Sequence, residues 1–371
     1  MPDRSFLDHF SALKDPRQLW KVVYPLEEIL LVVLCGTLAG ADDFAEIQRW
    51  GVRKLEFLRR LRPFERGVPS HDTLNDVMNA LPAGLFSECF TAWVAGLAET
   101  EPDIVAIDGK ASRRARARDG SPLHLVSAWA SRQRLVLGQE AVATKSNEIK
   151  AIPLLLERLE LTGALVTIDA IGCQRNIAEA IRAKGADYLL ALKDNWPTLA
   201  DDVRLFFERE PAGAFDTEVT VDGDHGRIET RRYRVSHDVA WLSTDRRFPG
   251  EPRFPALASL VMVEAEVERD GRTSLARRYY LSSARRDARF FARAVRAHWG
   301  IENRLHWVLD VVFHDDLMRL RTKHGPANMA TIRHAGMNII KAIPDKASIK
   351  VRRKTLGWDD DYLYDAITQR P

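Results

Sequence analysis

Two aspartates sit where short apolar runs stop. Asp108 follows Ile104-Val-Ala-Ile, and Asp169 follows Ala164-Leu-Val-Thr-Ile. Runs of this length read as buried strands. In a sheet with crossover connections, the ends of neighbouring strands converge on one edge, where ligands bind. Two carboxylates placed there repel, and one pKa rises unless a cation lies between them. Hard oxygen donors of this kind suit Mg²⁺ or Mn²⁺. The plainer reading is that each Asp is a turn or capping group, common at strand ends.

A third carboxylate stands in His298-Trp-Gly-Ile-Glu302-Asn-Arg-Leu-His306-Trp-Val-Leu-Asp310. His298, Glu302, His306 and Asp310 recur every four residues, so one helix face carries all four. Ile301, Leu305, Val308 and Leu309 occupy the apolar positions. Trp299 and Trp307 either pack in the core or stack on a base; helical spacing predicts that at least one packs inside. An exposed face with a local Glu302–His306 pair is the plainer alternative, and a zinc site on the same row a sharper one. Against zinc, the spacing is not His-Glu-x-x-His and no cysteine has ligand spacing. Phosphate chemistry also needs cations. Lys110 follows Asp108 by two, and Arg113, Arg114, Arg116 and Arg118 come next. Such side chains position nucleic acid through its phosphates without reading sequence.

The elements that must position these groups can be read in outline. Residues 1–100 have helical periodicity. Pro25-Leu-Glu-Glu starts a helix, Ser70-His-Asp-Thr caps another, and Pro82 marks a break. Between Arg49 and Arg66 lie seven Lys/Arg and two Glu, which fits a DNA-binding module and a plain helical bundle equally. From residue 104 the texture is strand (Ile104–Asp108), strand (Leu123–Ala130), strand (Leu135–Ala143), helix (Asn147–Leu161), strand, helix (Asn176–Lys184) and strand (Tyr188–Leu192). That order predicts an α/β sheet in which an antiparallel meander leads into parallel crossovers. Residues 206–277 carry strand-like alternation and turn signals such as Asp222-Gly-Asp-His-Gly, and read as a β-rich insertion. Ala288–Phe313 reads as a long helix interrupted near Gly300. Gly325-Pro326 reads as a break before a last helix, Met329–Ala342.

The 371 residues are 46% hydrophobic and 29% charged, an ordinary globular composition that excludes wholesale disorder. The net charge of +3 hides a cancellation. Arg272–Arg296 holds eight Arg and one Asp (+7), and Arg319–Lys354 holds ten Lys/Arg and one Asp (+9). Between them Glu302, Asp310, Asp315 and Asp316 outweigh Arg304 (−3), so residues 272–354 carry +13 and the rest of the chain −10. A basic stretch with an acidic centre fits a polyanion bound around a metal-holding site. The alternative is a solvated helical surface, which we retain for the polar tail beyond Pro344. The longest apolar run, Ile29–Ala41, is thirteen residues, short of the about 20 a spanning helix needs. Cys35, Cys89 and Cys173 are odd in number and far apart. With no secretory pattern at the N-terminus, they point to a reducing cytoplasm.

Six segments stand in a telling order: Ile107-Asp-Gly-Lys110, Ile168-Asp-Ala-Ile-Gly-Cys-Gln174, Tyr188-Leu-Leu-Ala-Leu-Lys193-Asp-Asn, His225-Gly-Arg-Ile-Glu-Thr-Arg231, Tyr279-Tyr-Leu-Ser-Ser283 and His298-Trp-x-Ile-Glu-Asn303. Together they resemble the DDE transposases of bacterial insertion sequences, in particular the group of H-repeat-associated proteins. Phe10-Ser-x-Leu-x-Asp-Pro16 and Pro69-Ser-His-Asp-Thr73 resemble that group's helical N-terminal region. The resemblance covers nearly the whole chain. It implies a ribonuclease-H-like catalytic core (101–205 and 278–343) interrupted by the β-rich insertion (206–277), after an all-helical N-terminal domain (1–100) and before a C-terminal tail (344–371). It also implies a catalytic and metal-binding triad of Asp108, Asp169 and Glu302 with two Mg²⁺ or Mn²⁺ ions. The wider group's Tyr-x2-Arg-x3-Glu-x6-Lys pattern is absent: Val295, His298 and Leu309 hold the Tyr, Arg and Lys places.

The activity implied is hydrolysis of a phosphodiester at each element end, then transfer of the freed 3′-hydroxyl to target DNA. The partners implied are double-stranded terminal inverted repeats, target DNA and a second copy of the chain, acting on the bacterial nucleoid. The candidate DNA contacts are Lys110, Arg113, Arg114, Arg116, Lys193, Arg227, Arg231, His298, Asn303, Arg304, Arg319 and Arg321. Two rivals remain: a divalent-metal nuclease without strand transfer, and a DNA-binding relic without catalysis.

Overall fold

Of the run Ile29–Ala41, residues Ile29–Leu38 are helical and buried, and Ala39–Ala41 turn out of the helix; among the described residues no helix is long and apolar enough to cross a membrane. The computed structural model describes residues 6–18, 20, 22–99, 101–116, 122–142, 148–224, 227–243 and 254–368. Ala143, Asn147, His225 and Gly226 lie outside the described residues, as does Arg118. The chain forms two compact units, one of Met1–Thr100, Gly109–Asn147 and Glu302–Pro371, the other of Glu101–Asp108 and Glu148–Ile301. Two of the crossings between them fall inside continuous elements, directly after Asp108 and directly before Glu302.

The first unit begins with helices α1 (Phe6–Phe10), α2 (Leu26–Leu38), α3 (Phe44–Arg53), α4 (Leu55–Arg59), α5 (His71–Ala80) and α6 (Ala83–Ala95). Local chemistry starts several of them. The Asp43 carboxylate caps α3 by accepting from Glu46 N, while Glu46 reaches back to Asp42 N, a reciprocal capping box. Ser70 Oγ accepts from Thr73 N at the head of α5, as the sequence predicts. Strand β1 (Ile104–Arg116) enters this unit at Gly109 and neighbours the antiparallel pair β2 (Pro122–Ala130) and β3 (Leu135–Val142).

Of the later helices in this unit, α11 (Trp307–Val312), α12 (Gly325–Ala342), α13 (Ile349–Trp358) and α14 (Asp360–Thr368), the second is buried along nearly its whole length. Its polar side chains fasten it to its neighbours. Asn338 brackets Val136 of β3, accepting from its N–H and donating to its C=O, both at 2.9 Å. Asn328 Nδ2 donates to the carbonyls of Met78 and Leu81 at the end of α5. The Asn338 amide, met by backbone on both sides, avoids the desolvation cost of an unpaired group.

The second unit receives β1 through Asp108 and continues with α7 (Glu148–Arg158), β4 (Leu165–Ile168), α8 (Arg175–Ala183), β5 (Asp187–Leu192), α9 (Pro197–Arg209), β6 (Asp216–Asp224), β7 (Arg227–Ser236), β8 (Ser259–Arg269), β9 (Arg272–Ser282) and α10 (Ala288–Ile301). Its strands run in the order β1-β4-β5-β9-β8-β7-β6. β1, β4 and β5 pair in parallel, and the remaining pairs are antiparallel. The sheet is therefore mixed, with helices supplying the α part of an α/β architecture. Phe291, Ala292, Ala294 and Val295 of α10 pack with Leu165, Leu189, Tyr233, Val235, Val261 and Val263 of the strands.

Four expectations change. Gly325-Pro326 opens α12 rather than breaking the chain before a later helix, because proline at the first helical turn needs no donor. Helix α9 fills residues for which no element was read, and its last four residues, 206–209, enter the stretch expected to be β-rich. The segment beyond Pro344 forms α13 and α14 and is not all solvated surface. Arg353 of α13 is buried, bonding Thr37 O, Val312 O and the Asp42 carboxylate. Finally, both Trp299 and Trp307 are exposed, at 42% and 57%. Trp299 lies under the Arg278 guanidinium, 5.1 Å from the ring centroid, and Trp307 follows a π-helical turn that changes the facing of the residues after it.

Candidate active site

In the second unit, Ala106 pairs with Thr167 and Ile107 with Ile168 across the parallel β1–β4 ladder. Asp108 and Asp169 are the next residues along that register: Asp169 is the first residue past β4, while Asp108 lies within β1, which runs on to Arg116 rather than ending at Asp108 as the apolar run predicts. Asp108 is half-buried and Asp169 exposed. Alternation along a strand puts Asp169 on the same face as Thr167. That face is occupied by α10, since Thr167 Oγ1 and His298 Nδ1 lie 2.9 Å apart. Both aspartates thus sit on the helix-covered side of the sheet.

The loop that carries Asp169 is tightly held. Asp169 Oδ1 accepts from Ile171 N and caps the short turn Ala170–Gly172, so the capping reading is also true of this residue. Asn195 Nδ2 donates to Ala170 O at 2.8 Å, and Trp196 Nε1 to Cys173 O at 2.6 Å. These contacts explain the Lys193-Asp-Asn195 segment: it buttresses the Asp169 loop while Lys193 stays exposed. Gly172 is needed for close approach, because a Cβ there would lie 2.3 Å from Ile168 Cγ2. Cys173 is buried beside the loop. Burial, with the Asp169 charge as a second cause, pushes its thiol up to about 12, which leaves it inert.

In the first unit, Glu302–His306 forms a π-helical turn between the end of α10 and α11. Turns of this kind occur mostly as single bulges, frequently at functional sites. Glu302 is exposed and His306 buried, with Glu302 Oε2 3.6 Å from His306 Nδ1. Asn303 and Arg304 are exposed beside them.

Lys110 is engaged inside the protein. Its ammonium pairs with Asp310 and with Asp315 Oδ2, and Asp315 Oδ1 takes Arg333 at 2.9 Å. Burial alone would lower the lysine pKa, but the Asp315 and Asp310 carboxylates outweigh it and the net shift is upward. Burial opposes ionisation of Asp315 as well; Arg333 and Lys110 reverse that and hold its carboxyl below the usual range. The sequence reading did not single out Arg333 or the partnering of Asp315. The only signal was acidic residues in excess near 310–316.

The remaining candidates divide by how their charge is used. Arg227 pairs with Glu229, and Arg231 with both Asp222 and Glu229, within the β6–β7 hairpin. Arg319 and Arg321 are exposed in the segment before α12. Arg113, Arg114 and Arg116 belong to β1, with side chains outside the described part of the structure.

Comparison with known proteins defines the class. Residues 99–339 match the model of the transposase DDE domain, and residues 7–94 match that of the DDE_Tnp_1-associated domain. The chain belongs to the DDE transposase family. Among its relatives, the "Putative transposase YncI" of Escherichia coli O157:H7 is 36% identical over 377 residues, 99% of this chain and 95% of that protein. The "H repeat-associated putative transposase YhhI" of Escherichia coli K12 is 35% identical, with 97% of each chain covered. A piggyBac transposase in a synaptic complex with hairpin DNA aligns over 95% of this chain and 76% of that one, with a TM-score of 0.44 and 12% identity.

Proposed function

We propose that the chain is a DNA transposase that hydrolyses a phosphodiester at each element end and transfers the resulting 3′-hydroxyl to target DNA. Asp108, Asp169 and Glu302 are its catalytic carboxylates. The observation that carries this reading is the β1–β4 register, which brings Asp108 within β1 alongside Asp169, the first residue past β4, on the side of the sheet that α10 covers. Glu302 follows in the same helical run, four residues after the His298 that docks on Thr167. The donor chemistry fits two hard divalent ions, Mg²⁺ or Mn²⁺. Beside Glu302, His306 brings an imidazole, its Nδ1 3.6 Å from Glu302 Oε2.

Bound there, the ions would supply charge compensation for the attacking and leaving oxygens. The chain's own residues do the positioning. Asp169 is presented by a loop fixed by Asn195, Trp196 and Gly172, and His298 fixes the helical run that leads to Glu302. Exposed Lys193, Arg304, Arg319 and Arg321, with Asn303, meet the DNA backbone. In the first step a water oxygen attacks phosphorus and the 3′-oxygen leaves as a hydroxyl. In the second, that hydroxyl attacks a target phosphorus and displaces a target 3′-oxygen.

On this reading β1–β5 with α10 form a ribonuclease-H-like core, residues 206–277 an insertion within it, and residues 1–100 a helical DNA-binding domain. Two copies act together so that both element ends are held.

The test uses labelled element-end duplex and a target plasmid. Asp108→Asn should lower Mg²⁺-dependent nicking and joining by at least about 1,000-fold, while end binding stays intact. Full activity in that variant removes Asp108 from the site. Cleavage by the unaltered protein without joined product would identify a nuclease instead. Bound zinc with no response to Mg²⁺ would favour the His306-containing set as a zinc site.

A further inference from the structure

Lys110 lies two residues beyond Asp108, where a phosphate contact would be expected, but its surroundings point elsewhere. Its side chain is 11% exposed, and both its partners are carboxylates. Asp315 and Arg333 are 7% and 4% exposed, and Asp310 is 33%. Two cations and two anions close the set, so no net charge is left for DNA.

The turn that delivers Asp315 is itself constrained. His314 adopts a left-handed φ of 53°, and its Nδ1 lies 2.6 Å from Asp42 Oδ2, which fixes the chain reversal after α11. A small cavity beside the pairs is lined by Lys110, His306, Asp315 and His334 together with apolar Leu125 and Leu309. The imidazole next to Glu302 and the ammonium next in line after Asp108 therefore face one enclosed space.

The positions of the paired residues give them a purpose. Lys110 is on the strand that carries Asp108, and by alternation on the same face. Asp310 is on α11, immediately after the π turn that carries Glu302 and His306. A π turn is a rare local geometry, held here by what packs around it.

We propose that Lys110 is a positioning residue: through Asp310 and Asp315 it fastens the segment that follows the Glu302 turn to the part of β1 that begins at Gly109, and so sets the affinity of the proposed ligands for their divalent cation. It does not touch DNA. This rests on the reading of Asp108, Asp169 and Glu302 as metal ligands.

The test measures Mn²⁺ binding to the full-length protein without DNA, by the loss of the free-ion paramagnetic resonance signal. The unaltered chain should bind Mn²⁺, and Asp108→Asn should not. Lys110→Met should weaken binding by about 10- to 100-fold, the range for groups that orient metal ligands. Its affinity for element-end duplex and its salt dependence should be unchanged. Asp310→Asn, at a half-exposed carboxylate that leaves Lys110, Asp315 and Arg333 together, should act in the same direction, and it decides the matter if Lys110→Met does not fold.

Unaltered Mn²⁺ affinity in both variants would overturn the proposal. So would weaker DNA binding in Lys110→Met with a salt slope reduced by about 1, the mark of a phosphate contact. Loss of Mn²⁺ in Asp310→Asn but not in Lys110→Met would make Asp310 a ligand instead of a clamp. If the unaltered protein bound no Mn²⁺, or Asp108→Asn bound it equally well, the metal reading itself would fail, separately from the role of Lys110.

Discussion

Where β4 ends, Asp169 stands next to Asp108 of β1 in the register, half-buried Asp108 beside exposed Asp169. In the unit built around α12, the carboxylates of Asp310 and Asp315 are answered by Lys110 and Arg333 beneath the surface. Both regions concentrate acidic residues, and in sequence they look alike. Their physics differs. A buried carboxylate is tolerated only when a cation and hydrogen bonds replace the water it has lost. Asp169, by contrast, keeps its contact with water and uses one oxygen only to cap the turn that follows it. Charge satisfied beneath the surface organises the fold, and charge that stays hydrated costs the fold little.

The sharpest way to break this comparison is to neutralise one acid from each region. Asp315→Asn leaves the buried Arg333 and Lys110 poorly compensated, and should destabilise the protein by about 3–5 kcal/mol, read by chemical denaturation. A neutral substitution at exposed Asp169 should change stability by about 0.5 kcal/mol or less, since asparagine also caps a helical turn. Equal costs at the two positions would erase the distinction.

A smaller effect follows from His334, on α12 beside Asp315, His306, Lys110 and Arg333. Burial holds its imidazole down at about 3, against an ordinary 6.5. Between those values the unfolded chain binds a proton there that the folded chain does not, so stability falls as pH drops below about 6.5, by up to about 1.4 kcal/mol per pH unit. His334→Gln should flatten the dependence of Tm on pH between about 6.5 and 4.5. An unchanged slope would show that the histidine is not held neutral.

The smallest effect concerns the open cations. Arg321→Ala should leave Tm unchanged and lower the salt slope of DNA binding by about 1. Arg231, already paired with Asp222 and Glu229, should give a weaker effect when replaced. The reverse ranking would mean that internal pairing does not decide which arginines reach DNA.

Much of the architecture was legible because period and punctuation are local. The apolar runs ending at Asp108 and Asp169 are strands, and the crossover order β4-α8-β5 follows from alternating texture. The four-residue spacing from His298 to Asp310 correctly marks a helical run. Its π turn was hidden, because side-chain spacing does not reveal an extra residue in the hydrogen-bond ladder. The exposure of Trp299 and Trp307 was hidden for a related reason: periodicity tells which residues share a face and says nothing of what covers it. The outer halves of β8 and β9 are solvent-exposed, so their charged residues blur the alternation that marks a strand. The internal pairing of Lys110 was hidden because its partners lie 200 and 205 residues away in the chain.

The proposal that Asp169, just past the end of β4, is a metal ligand is tested most directly by Asp169→Cys. A thiolate is a poor partner for Mg²⁺ and a better one for softer ions. The variant should nick and join element-end DNA at a small fraction of the normal rate in Mg²⁺ and recover a substantial part of it in Mn²⁺. Full activity in Mg²⁺ would contradict the account.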